Sequence, residues 1–337
     1  MKKIGFLSFG HLHPRSLTRT GAEALRQSVE LAVAAEEVGI DGAYFRVHHF
    51  ARQLASPFPL LTAIGARTSR IEIGTGVIDM RYENPLYMAE TAAAADLLSG
   101  ERLQLGISRG SPETVVDGYR VFGNVPPAGT TDEDMAMRHT DAFLAAISGA
   151  KLAQSDPART GVTGAVAIEP RSQTLRDRIW WGSGSRGSAI RTAELGMNLM
   201  SSTLLTEDTG VPFDELQAEQ IHMYREAFAA ADWGRTPRVS VSRSIIPLVS
   251  DVDRHYFGRR SEQDSEQVGY IDVGQIARFG KSYIGEPDVI AEELARDAAV
   301  QEADTVLVTV PNQLGVDYNA ALLENIVKHV APAAGWR

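Results

Sequence analysis

Eight apolar runs recur along this chain, each long enough for a strand buried on both faces, and most are separated by helical sequence. They cover residues 4–9, 42–47, 71–78, 103–108, 179–182, 197–201, 239–249 and 305–310. The stretch 23–38 places Leu25, Val29, Ala32 and Val33 along one side of a helix, and 86–98 is rich in alanine. Strands read as unbroken apolar runs when helices cover both faces of a parallel sheet, and eight such units favour a closed barrel over an open sheet. The expected fold class is therefore α/β, a (β/α)8 TIM barrel in one domain over 1–337, with insertions after strands 4 and 7 at about 111–135 and 250–285. The second insertion is a candidate lid, since long loops after barrel strands rim the C-terminal mouth.

Helix punctuation agrees with this division. Gly39 and Gly196 fit helix C-caps, Ser99-Gly100 ends a helix and Pro287 starts one. The N-terminal MKKIGFLSF resembles a signal peptide only faintly and reads as a first strand. No apolar run approaches the roughly 20 residues of a membrane span. The 337 residues include no cysteine, which removes thiolate chemistry and disulfides and agrees with a cytoplasmic location. A formal net charge of −10 opposes broad binding to nucleic acid, so any phosphate must meet a local basic site.

Two strand ends offer such a site. Gly182-Ser-Gly-Ser-Arg-Gly187 lies between a strand and a helix, where a G-x-G-x-x-G turn brings amides to an anion at a helix N-terminus; Ser185 and Ser188 add hydroxyls. Arg109, directly after LQLGIS, would sit at the mouth and could grip a phosphate with two parallel bonds. The acid that a dinucleotide fold wants after the next strand is replaced by serines, with Glu207 and Asp208 beyond. Histidines come in pairs after the first two strands, His11 with His13 and His48 with His49. An H-x-H after a first strand also opens metal-dependent hydrolase barrels, but later strand ends here lack the remaining ligands, and no metal is expected.

Together these segments resemble the bacterial luciferase-like, flavin-dependent monooxygenases. The resemblance is carried by Val47-His48-His49-Phe50, IEIGTGVI at 71–78, Asn84-Pro85, Ala89-Glu90, DLLSGER at 96–102, LGISRG at 105–110 and Arg120-Val-Phe-Gly123. It continues through WWGSGSRGS, GMNLMSS, Gly285-Glu-Pro287 and VTVPNQLG, covering nearly the whole chain in order. It implies a flavin at the barrel mouth, with Arg109, Gly184, Ser185 and Ser188 on the FMN phosphate. It also implies a non-prolyl cis peptide at Gly76-Val77 against the ring, with Ser108 beside it. His48 matches the family's catalytic histidine, an imidazole near neutrality able to donate or accept a proton. His11, His13 and His49 would line the substrate pocket. Val47 stands where most relatives have Glu, and Ser108 where luciferases proper have Cys, so light emission is not expected.

The function implied is that of an FMNH2-dependent monooxygenase acting with O2 on a small organic molecule, its reduced flavin coming from a separate NAD(P)H:flavin reductase. Hydride transfer with a deazaflavin coenzyme, a non-catalytic flavin-binding role and a metal-dependent hydrolase are the alternatives. The alanine-rich face at 88–95 could pack against a copy of itself, so a homodimer is expected.

Overall fold

A computed structural model of the chain describes residues 1–110, 115–207, 209–258, 267–272, 275–280 and 282–337, with the backbone path alone for 267–272 and 275–279. The main elements in chain order are β1 Lys3–Ser8, α1 Gly21–Glu37, β2 Gly42–Phe45, α2 Pro57–Arg67, β3 Glu72–Thr75, α3 Pro85–Leu98, β4 Leu103–Ser108 and α4 Asp132–Ile147. The second half continues with β5 Ile179–Ser183, α5 Arg186–Glu194, β6 Asn198–Ser201, α6 Phe213–Ala231, β7 Val239–Pro247, α7 Pro287–Arg296, β8 Thr305–Val310 and α8 Gly315–Asn325.

Every strand from β1 to β8 pairs in parallel with the next, from Gly5 opposite Gly42 to Ser240 opposite Thr305, and β8 returns to β1 with Lys3 opposite Thr305. The sheet closes, giving the (β/α)8 barrel the alternation calls for. Helix starts follow their caps: Thr20 with Glu23 and Thr131 with Asp134 form capping boxes, and the Asn84 carboxamide accepts from the amides of Leu86 and Tyr87 with Pro85 at the first helical position. Gly39 and Gly196 end helices in the left-handed conformation.

Inside the barrel, Leu7, Tyr44, Trp180, Met200 and Leu307 form one buried cluster, with Phe9 and Val77 packed on it. Below it the N-terminal end is closed by polar groups. Glu72 accepts from Arg238 at 3.0 Å and from Lys3 at 2.5 Å, and the Trp180 indole donates to Gln104 at 2.8 Å. The 96–102 stretch is also structural. The fully buried Asp96 accepts from Arg178 at 2.5 and 3.0 Å and from the Leu103 amide, while Arg102 donates to the carbonyls of Gly65, Thr68, Ile71 and Ser99. These bonds tie α2, α3, β3, β4 and β5 together at the barrel's N-terminal end.

Several sequence expectations shift. The run at 71–78 is two strands, since β3 stops at Thr75, Gly76–Val77 is a cis peptide and Ile78–Asp79 pairs separately with β4. The buried side of α1 is Ala24, Ser28, Leu31, Ala32 and Ala35, with Leu25 exposed. Part of 250–285 is regular structure. Asp251–Phe257 is helical, 267–272 and 275–279 pair antiparallel, Leu204–Leu205 joins that hairpin, and Ser282–Gly285 pairs with the far half of β7. Within the two insertions, residues 111–114, 259–266, 273–274 and 281 lie outside the described residues, as does Asp208 elsewhere. The alanine-rich side of α3 packs within its own chain, where Met88, Ala89, Ala92, Ala93 and Ala95 are buried. The large apolar side chains α3 exposes are Leu86, Tyr87, Leu97 and Leu98, with Glu90 exposed among them.

Candidate active site

The C-terminal ends of the strands converge on one cavity. Past β1 it is lined by Phe9, past β2 by Arg46, Val47 and His48, and beyond β3 by Gly76, Val77 and Asp79. The end of β4 supplies Ser108 and Arg109, the turn after β5 supplies Gly184, Ser185 and Ser188, and β6 leads into Ser201, Ser202 and Thr203. His48, Gly76, Val77, Ser108, Arg109, Gly184, Ser185 and Ser188 thus all face one space, although they come from four strand ends.

The lining is chemically divided. Leu7, Phe9, Val77, Trp181 and Met200 are apolar, whereas Ser185, Ser188, Ser202, Thr206 and Arg109 carry polar donors. At the start of α5, Ser185 is the N-cap and its hydroxyl accepts from the Ser188 amide. The Ser188 hydroxyl accepts from the Trp181 indole at 3.1 Å, leaving its own O–H to donate. A side chain at Gly184 would press within 3.0 Å of the Leu204 carbonyl, so glycine there lets the β6 extension close over the turn. The first amide of α5, on Arg186, is already taken by the Glu207 carboxylate at 3.1 Å. Helix amides therefore offer less than the glycine pattern promises, and hydroxyls offer more. Arg109 is half-exposed and pairs with Glu133.

At β2 the Arg46 Nε–H donates to His48 Nε2 at 2.6 Å, which places the imidazole proton on Nδ1. Burial first, then the Arg46 charge and the neighbouring His49 and His11, lower the His48 pKa to about 4. The near-neutral imidazole anticipated from its residue type is thus replaced by one fixed in its neutral form. Arg46 stacks over Phe9 with its guanidinium carbon 4.9 Å from the ring centre. Asp79 is held by Arg81 at 2.6 Å, and Arg81 also reaches Asp132 at 3.0 Å.

The other three histidines sit elsewhere. His49 stacks on Tyr82 with centroids 4.2 Å apart and meets Phe122 edge-on, outside the cavity lining. His11 and His13 line a shallower groove beside the mouth with Arg15, Arg52 and Gln53, and His11 stacks on Phe9 at 5.5 Å. Arg46, Asp79, Thr203, Thr206 and Ser242 are lining residues the motifs did not single out, and Arg46 is the one in contact with His48. The signal for Arg46 was present: a charged residue at the end of a buried strand, two positions before His48.

A family model described as luciferase-like monooxygenase matches residues 3–255. Among curated relatives, the uncharacterized protein YwcH of Bacillus subtilis is 26% identical over 255 residues, 74% of this chain and 66% of that protein. The 4-hydroxyprotoasukamycin monooxygenase of Streptomyces nodosus subsp. asukaensis is 33% identical over 33% of this chain and 30% of its own. An F420-dependent glucose-6-phosphate dehydrogenase of Mycolicibacterium gilvum is 37% identical over 28% and 31%. The aligned parts thus span 66% or less of these relatives' own lengths. Among solved structures, monooxygenase RslO1 of Streptomyces bottropensis superposes with a TM-score of 0.73 at 18% identity, covering 98% of this chain and 99% of that one. The oxygenating constituent of 3,6-diketocamphane monooxygenase from Pseudomonas putida, in complex with FMN, gives 0.71 at 16% identity with the same coverage. These two likenesses establish the fold.

Proposed function

The chain belongs to the luciferase-like monooxygenase family, and on that premise we propose that it is an FMNH2-dependent monooxygenase that oxygenates a small organic substrate with O2. A separate NAD(P)H:flavin reductase would deliver the reduced flavin. The observation that carries this proposal is the gathering of His48, Gly76, Val77, Ser108, Arg109, Gly184, Ser185 and Ser188 around one cavity at the barrel mouth.

The residues present fit a flavin mononucleotide. The apolar part of the lining suits a planar ring, and the free donor of Ser188, the Ser202 and Thr206 hydroxyls and the Arg109 guanidinium suit a phosphate. Arg109, Ser185 and Ser188 would hold the phosphate, and Val77 would support the ring. Bound in reduced form, the flavin supplies the electrons that activate O2. The protein's own work is to bind, to orient and to keep water out. Phe9, Val47 and Val77 present hydrocarbon to the reaction space, and His48 offers a hydrogen bond from Nδ1 while Arg46 engages Nε2. Held neutral with Nε2 occupied, His48 serves as a hydrogen-bond donor from Nδ1 and carries no second proton to give up.

Hydride transfer with a deazaflavin is the second possibility, favoured by the deazaflavin-dependent relative. Anaerobic titration of the purified protein with reduced FMN and with reduced deazaflavin, followed by absorbance, separates the two. The proposal expects saturable binding of reduced FMN, and O2 uptake that depends on an added substrate once a reductase and NADH are present. Binding of the deazaflavin at least about tenfold more tightly, or of neither cofactor, contradicts it. The monooxygenase is further proposed to be a homodimer, paired through the apolar side chains that α3 exposes.

A further inference from the structure

We propose that the substrate of this site is an organic anion whose carboxylate or similar acid group is held by Arg46; this rests on the flavoenzyme assignment above and narrows it. Among the described residues, three charged side chains line the cavity: Arg46, Asp79 and Arg109. Asp79 is neutralised by Arg81, and Arg109 by Glu133. Arg46 has no carboxylate partner among the described residues. Its Nε–H is spent on His48, it lies over the Phe9 ring, and neither terminal nitrogen has a hydrogen-bond acceptor among the described residues.

That arrangement is costly without a ligand. Burial pulls the Arg46 pKa below its ordinary value, and no anion among the described residues offsets the desolvation. The two free terminal nitrogens present a fork that a carboxylate matches with parallel hydrogen bonds. Val47 matters here too, because it places a methyl-bearing side chain, rather than an acid that would quench the cation, between Arg46 and His48.

The groove neighbouring the cavity is consistent with the same charge. The groove beside the mouth adjoins it through the His11–Phe9 stack and is lined by His11, His13, Arg15, Arg52 and Gln53, with no carboxylate among its lining residues. In a chain of 43 acidic and 33 basic residues, a groove lined by Arg15 and Arg52 without a carboxylate, next to the unpaired Arg46, is a local exception to a field that repels anions. With its acid group on Arg46, a substrate would lie beside His48, since the two side chains are in direct contact.

The test uses FMN-loaded protein and matched probes that differ in charge: benzoate against benzamide, and hexanoate against hexanamide. FMN affinity is measured first for wild type, Arg46→Gln and Arg46→Lys, and calorimetry or perturbation of the flavin spectrum then reports probe binding. The expected result is a preference for acids over amides of at least about tenfold in wild type, lost in Arg46→Gln and partly kept in Arg46→Lys, with FMN affinity unchanged within about twofold. Equal treatment of acids and amides by wild type, absence of binding included, overturns the proposal while leaving the flavin assignment intact. So does an acid preference that survives in Arg46→Gln. Weakening of FMN by about tenfold in Arg46→Gln would reassign the guanidinium to the flavin and likewise overturn it. Failure of wild type to bind FMN overturns this proposal together with the assignment beneath it.

Discussion

A guanidinium that grips a phosphate has to release, or share, whatever carboxylate it otherwise holds, and Arg109 holds Glu133. Arg109→Ala should weaken reduced FMN by roughly 10- to 100-fold, the size of a charge-assisted hydrogen bond in a cavity. Glu133→Gln should leave affinity unchanged or raise it a few-fold, and equilibrium titration of both variants checks this. His48 makes a second prediction. With its pKa at about 4 against 6.5 for a free imidazole, the unfolded chain binds an extra proton between those values, so this residue's contribution to stability falls as pH drops through that window. Replacing Arg46 by Met removes one of the causes and should move the His48 titration upward, read from its ring proton by NMR; an unchanged midpoint would show that burial and the neighbouring histidines suffice without Arg46. These residues also mark what the sequence makes visible. His48 could be placed from its motif, but its protonation could not, because Arg46 acts on it through space. His48 and His49 are adjacent in sequence yet enter different environments, and residue type says nothing about which one turns toward Tyr82.

At the scale of elements, β7 shows how one strand serves two partners. Its first half closes the barrel against β8 and its second half carries Ser282–Gly285 outside it. Between those halves lies Arg243, buried with Asp297 at 2.7 and 2.9 Å, and Tyr283 donates to the same carboxylate at 2.6 Å. Burial pushes the Asp297 carboxyl up, but the charge and hydrogen bonds of Arg243, with those of Tyr283 and the Val300 amide, outweigh it and leave the pKa lowered. The stability it contributes is therefore present above the unfolded carboxylate range and lost as pH falls through the folded value. Asp297→Ala strands a buried cation and should destabilise the protein by about 3–5 kcal/mol, visible as an earlier urea midpoint at neutral pH. A loss below about 1 kcal/mol would mean that water or a shifted Tyr283 replaces the carboxylate. This region was poorly legible in the sequence. β4 and β8 were bounded correctly because their runs are uncharged and buried along nearly their whole length, whereas 250–285 mixes charge and glycine, and its strands are specified by distant partners such as Leu204–Leu205. The cis peptide at Gly76–Val77 came from family resemblance, since nothing in local composition requires it.

For the molecule as a whole, the two ends of the barrel have different duties. The N-terminal end is locked by Glu72, Arg238, Asp96, Arg178 and Arg102, and the C-terminal end is left open around Arg46, His48 and Arg109. Much of what looked like a family signature, DLLSGER above all, belongs to the locked end and holds the scaffold on which the site stands. Outside, α3 exposes Tyr87 at 68% and Leu98 at 67% of their free areas. The proposed homodimer predicts a light-scattering mass of twice the 36.5 kDa chain, falling to one chain when Tyr87 and Leu98 are replaced by Glu. A single-chain mass for the unmodified protein would contradict it. One cavity is proposed to receive both ends of a flavin, and a crystal structure of the FMN complex is the decisive experiment. The expected density places the ring against Val77 beside His48, with the phosphate on Arg109 and the Ser185–Ser188 turn; FMN bound outside this cavity, or with its phosphate away from both Arg109 and that turn, would contradict it.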